Sequence, residues 1–154
     1  MRKAMLLIAA LILGGMQPPP SESVRIERAM VDAEPNPTKE SAAGGYARLT
    51  SIGRADTLIG VRCDCARDVD LHRIVREPKP DMLVKQTLAL PADVPVDIRP
   101  GSDWHFWVGD LQRPLRDGET VILVLRFDIA GEVPVPFTVR ASTKDAWAAL
   151  DPKP

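Results

Sequence analysis

The segment from Thr120 to Ile129 constrains the fold more than any other part of the chain. Val121, Leu123, Leu125, Phe127 and Ile129 fall at every second position, and only an extended strand turns all five to one face. Asp117-Gly118, just before the run, is the strongest hairpin signal present, and Ala130-Gly131 closes the strand. Val133, Val135, Phe137 and Val139 repeat the period, with Pro134 and Pro136 on the alternate positions. Proline has no N–H to give to a ladder, so this last strand belongs at an edge or a bulge. The chain carries 15 prolines and 10 glycines in 154 residues. Breaks this frequent leave no long helical periodicity and exclude an all-helical bundle.

The same period recurs upstream. Val24 and Ile26 start one strand; Tyr46, Arg48 and Thr50 alternate with Ala47 and Leu49 in another, after a loop from Asp32 to Lys39 that contains Pro35 and Pro37. Ile59, Val61, Cys63 and Cys65 line one face of a third strand. Val69 and Leu71 share the apolar face of a fourth, which puts Asp70, His72 and Ile74 together on its other face. Met82 to Leu90, Val94 to Ile98 and His105 to Val108 follow, and only Lys144 to Leu150 reads as helical. About eight short strands separated by turns describe an all-β Greek-key sandwich or barrel over residues 23–140, followed by a tail over 141–154.

Ahead of the strands, Arg2 and Lys3 precede an apolar run from Ala4 to Leu13, which ends at Gly14-Gly15 before Pro18-Pro19-Pro20. This is the order of a secretory signal over residues 1–20. The run is about half the ~20 residues a membrane helix needs, so no stable span is expected. No cysteine follows it directly, so a lipid anchor is not indicated there. Taking Arg2 and Lys3 from the 20 basic residues leaves 18 against 21 acidic ones, a mature charge near −3. A nucleic-acid binder would show a basic stripe instead.

Export changes what Cys63 and Cys65 can be. Oxidising compartments favour disulfides, but an extended C-x-C holds its Cα atoms at about the limit of disulfide reach, so a bridge needs a turn there. If Ala66-Arg67-Asp68 forms the turn, Cys65 lies opposite Val69 and Cys63 opposite Leu71, which makes both core thiols. A one-residue slip would put them beside His72 as metal ligands. Core thiols, ligands and an oxidised form all stay open.

Enzyme signatures are absent from the sequence: there is no Gly-x-Ser-x-Gly elbow, no His-Glu-x-x-His, no phosphate loop and no Cys-x-x-Cys. What stands out is two histidines on strands among sulfur and aromatic residues. His72 lies in Asp70-Leu71-His72-Arg73-Ile74, Met82 is ten residues on, and His105 lies in Trp104-His105-Phe106-Trp107. By alternation Trp104 and Phe106 share one face of their strand and His105 and Trp107 the other.

With these residues in place, the chain resembles the periplasmic PCu(A)C copper chaperones over roughly Val24 to Val139. The likeness is best from Leu90-Pro91-Ala92 to His105 and from Gly109-Asp110-Leu111 through Asp117-Gly118 to Phe127. It implies a cupredoxin-like β-sandwich and a non-enzymatic role: holding copper(I) and passing it to an envelope acceptor such as cytochrome oxidase. Residue by residue, His72 and His105 fall on the two family histidines and Met82 near the central methionine, with 22 residues between Met82 and His105, one more than the family's usual spacing. Ile74 and Trp107 replace the other two methionines. The implied metal set is therefore His72, Met82 and His105, with the Trp107 ring covering the ion by cation attraction. The alternative keeps the same sandwich as a metal-free envelope module that binds a protein or small ligand through its aromatic edge.

Overall fold

A computed structural model describes residues Ser23 to Pro152; the expected export signal lies outside them. Ten strands occur among the described residues: β1 (Val24–Asp32), β2 (Ala42–Ser51), β3 (Asp56–Arg62), β4 (Ala66–Val75), β5 (Asp81–Leu83), β6 (Leu88–Leu90), β7 (Val96–Ile98), β8 (Trp104–Leu111), β9 (Thr120–Phe127) and β10 (Gly131–Arg140). One helix, α1 (Thr143–Ala149), follows them. The strands pair in the order β5-β4-β8-β2-β1-β10-β9-β3-β6, with β7 added on β2. Only β1 and β10 run parallel among the strand pairs.

The period-two run forms β9 as expected. Val121, Leu123, Leu125 and Phe127 are buried, and the β10 partners of the first three, Phe137, Val135 and Val133, are buried with them. Phe137 meets Phe106 of β8 edge to face at 5.8 Å, so the β10 layer packs on the β8 layer through this pair. Each fully buried aromatic or aliphatic side chain contributes about 1.5–3 kcal/mol. Ile129 leaves the pattern: the strand ends at Phe127, and Ile129 stands exposed in a turn that Gly131 completes at φ +74°.

Pro134 and Pro136 lie opposite Val124 and Ile122 of β9. β1 pairs with β10 only at Thr138, Val139 and Arg140. The prolines thus occupy a stretch whose other side is a free edge, which is where a residue without an N–H is tolerated.

Four expectations shift. Asp117-Gly118 is a turn with Gly118 at φ +85°, but it makes no hairpin, because β8 pairs with β4 and β2 while β9 pairs with β10 and β3. The Met82 to Leu90 run is two short strands, β5 and β6, on opposite ends of the strand order. A bulge between Leu58 and Gly60 breaks the period of β3, so Leu58 is fully buried while Ile59 and Val61 are only partly covered. The β3–β4 turn falls on the cysteines, not on Ala66-Arg67-Asp68, and the two strands make no ladder with each other.

Within that turn Cys63 and Cys65 are joined as a disulfide, their Cα atoms 5.1 Å apart. The Cys65 N–H donates to Cys63 Sγ at 3.1 Å, and both residues are buried. They are neither free core thiols nor ligands beside His72.

The helix docks on the sandwich. Ser142 caps it by accepting the Asp145 N–H, and Thr143 donates to Asp32 at 2.6 Å. A bulge in β1 puts Arg28 at φ +55°, from which it donates to the Leu150 carbonyl, pairs with Asp151 and lies 5.3 Å over the buried Trp147 ring.

Asp56 anchors the β9–β10 turn. Its buried carboxylate accepts the N–H groups of Thr57, Ile129 and Ala130 at 2.7–2.9 Å. Replacing it with alanine orphans those donors, so Asp56→Ala is expected to lower unfolding free energy by about 3 kcal/mol in urea denaturation.

Candidate metal centre

Strands β4 and β8 are antiparallel neighbours in a register that pairs Asp68 with Gly109, Asp70 with Trp107, Leu71 with Phe106 and His72 with His105. Leu71 and Phe106 turn into the core, fully buried. Alternation then sends His72, His105, Asp70, Trp107 and Asp68 to the outer face. The two histidines, 33 residues apart in sequence, are direct cross-strand partners with ring centroids 5.5 Å apart.

β5 brings the third residue. It pairs with the end of β4, Met82 against Ile74, and this sets Met82 diagonal to His72. Met82 Sδ lies 3.2 Å from His72 Nδ1. His72 thus meets both of the other residues expected in the set, the Met82 thioether and the His105 ring. Trp107 stacks on the His72 imidazole, centroids 5.1 Å apart and planes within 13°, and its ring is 6.5 Å from that of His105. It faces the imidazole, and its indole N–H is donated to Asp68 Oδ2 at 3.1 Å. The sequence puts Asp68 in a turn; its parity with Asp70 and His72 marks the face it shares with them, and only the β4–β8 register brings it to Trp107.

Burial in this cluster is uneven. His72 is 5% exposed although it sits on an outer face, because Met82, His105 and Trp107 cover it. Met82 is 44% exposed, and Leu83 and Val84 beside it are also open. No group of three histidine, cysteine or carboxylate side chains that could hold a metal occurs among the described residues; what meets at His72 is a second imidazole and a thioether. A cleft of about 330 Å³ between β3 and β4, lined by Arg62, Asp70, Lys85 and Arg126, includes none of the three.

Burial pushes the His72 imidazole below the ordinary histidine value, against the pull of Asp70 and Asp68. It does the same to His105, helped by repulsion from His72 and opposed by Asp32. Both shifts favour the neutral imidazole, the form that binds metal.

These features define a class: a cupredoxin-like β-sandwich with a cross-strand histidine pair on its outer face. Among solved structures it is similar to the copper-bound PCuAC domain from PmoF2, at 26% identity over 78% of this chain and 94% of that one, TM-score 0.62. It is also similar to the apo PCuAC domain from PmoF1, at 21% identity over 78% and 95%, TM-score 0.66. Copper(I)-bound DR1885 from Deinococcus radiodurans matches at 20% identity over 79% and 83%, TM-score 0.57. Residues 24–139 match the LpqE-like family, described as "Putative lipoprotein LpqE-like", and the chain belongs to that family. No curated protein matches the chain. No helix among the described residues is long and apolar enough to cross a membrane.

A histidine whose folded pKa is depressed takes up fewer protons in the folded state than in the unfolded one. Its contribution to stability is therefore complete above about pH 6.5 and drains away as pH falls from there toward the folded value. The metal-free protein is expected to lose urea resistance between pH 7 and 5.5. In His72→Phe that slope is shallower; equal slopes in the two proteins would contradict the assignment.

Proposed function

We propose that this protein is a copper(I) metallochaperone of the cell envelope, with His72, Met82 and His105 as its ligands and copper as its cargo. The observation that carries the reading is the convergence on His72 of a second imidazole, His105, and a thioether, Met82, on the outer face of β4 and its neighbours. Imidazoles alone suit zinc, nickel and copper(II) as well, whereas a thioether adds preference for soft copper(I). The same convergence counts against the metal-free module, for which these side chains need not face one another. Likeness to PCuAC domains solved with copper supports the same reading.

Export to the periplasm fits the signal-like residues 1–20 and the LpqE-like description. The acceptor we infer is an envelope protein with its own copper(I) site, cytochrome oxidase being the example the family implies. Transfer makes and breaks only metal–ligand bonds, so no catalytic residue is assigned. An accessible, low-coordinate site is what such transfer needs, since the acceptor's ligands must reach the ion before it leaves.

Copper(I) titration against a competing chelator tests this. One equivalent is expected to bind to the wild type, with affinity falling about 100-fold, or ~2.7 kcal/mol, in His72→Ala and in His105→Ala. Met82→Ala should bind more weakly than wild type and lose preference for copper(I) over zinc. Unchanged binding in both histidine variants would remove the proposal.

The replaced methionine gives a second check. Trp107→Met supplies a thioether two residues after His105 on the same face, and is expected to raise copper(I) affinity by about tenfold. No gain in the same competition assay would mean that position 107 does not reach the ion.

A further inference from the structure

We infer that Asp68 is a positioning residue that clamps the Trp107 indole flat against His72, so that an aromatic plate, and not a fourth donor, closes the site. The inference rests on the copper(I) reading for its consequence but not for its geometry.

Three observations carry it. Asp68 and Gly109 are cross-strand partners on the face that also holds Trp107 and His72. The indole fills the space a side chain at position 109 would occupy: a Cβ there would lie 2.4 Å from Trp107 Nε1 and 3.1 Å from Cε2. At the far side of that gap Asp68 Oδ2 accepts the indole N–H at 3.1 Å. The ring is thus fixed at its N–H end by Asp68, while its face lies parallel to the imidazole at 5.1 Å. Remove the acceptor and the N–H loses its only protein partner among the described residues. Fill the gap at Gly109 and the ring must move.

The clamp has a chemical consequence. Indole nitrogen is a donor with no lone pair to offer a metal, and here its N–H is already committed. With the plate in place the site has three donors. Copper(I) is satisfied by few, soft ligands, whereas copper(II) and nickel(II) favour a tetragonal set. Asp68 and Gly109 therefore act on selectivity, by holding a non-ligating residue beside the histidine pair.

The experiment compares Asp68→Leu, which keeps bulk but no acceptor, Asp68→Asn, which keeps an acceptor oxygen, and Gly109→Ala, which displaces the ring by an independent route. In the metal-free proteins, NMR reads the ring-current shift of the His72 ring protons beneath the indole. It is expected upfield in wild type and Asp68→Asn and largely lost in Asp68→Leu and Gly109→Ala. With metal, the ratio of copper(I) to copper(II) affinity should fall about threefold to tenfold in the latter two and stay within about twofold of wild type in Asp68→Asn. A wild-type ring shift that persists in Asp68→Leu would overturn the clamp. Lost shifts with an unchanged affinity ratio would overturn the selectivity role. If the wild type binds no copper(I), the metal reading fails, while the ring shifts still decide the clamp. Should Gly109→Ala not fold, the Leu and Asn pair decides alone.

Discussion

The site depends on the pairing of β4 with β8. Because the two strands are antiparallel and aligned with Leu71 against Phe106, the burial of those two side chains fixes every other pair in the ladder. His72 against His105 is one of those pairs. A slip of β4 by one residue against β8 would turn His72 to the core face and bring Leu71 into water, at a cost of about 1.5–3 kcal/mol for that side chain alone. The outer-face chemistry is thus held in register by inner-face packing.

Much of this was legible in the residues. Alternation in β9 and β10, the split of Trp104 and Phe106 from His105 and Trp107, and the sharing of one face by Asp70, His72 and Ile74 all follow from a period of two. What failed did so where a single residue breaks that period. The bulge at Leu58–Gly60 swaps which side chains of β3 reach the core. The disulfide turn at Cys63–Cys65 replaces the expected hairpin, since three residues closed on themselves redirect the chain into the other layer. Asp117-Gly118 forms its turn, but a turn signal is local and says nothing about which strands later become neighbours. The Asp68 contact with Trp107 was hidden for a related reason: it needs both the β4 register and the empty volume at Gly109, neither of which a linear reading supplies.

Electrostatics and packing agree at the centre. His72 is stripped of water by its own site partners, so its neutral form is favoured by the same contacts that place it near Met82 and His105. The carboxylates of Asp70 and Asp68 act the other way, drawing positive charge toward this face. A monovalent cation held there, as proposed, would benefit from that field without requiring the histidines to titrate. Asp68 in addition accepts a hydrogen bond from Trp107, so one carboxylate both orients the plate and contributes to the field.

The asymmetry of burial sets a direction for exchange. His72 is enclosed, His105 is half-buried, and Met82 stands 44% exposed on a three-residue edge strand whose outer side is unpaired. A short edge strand opens at lower free energy than the central ladder it leans on. Its thioether is also the side chain with the least to hold it in place. On the proposed reading an incoming soft donor would meet Met82 first, and displacing it would leave the cargo on two imidazoles fixed by the β4–β8 ladder. The order of release that this burial favours runs from the exposed thioether inward, with the histidine pair last.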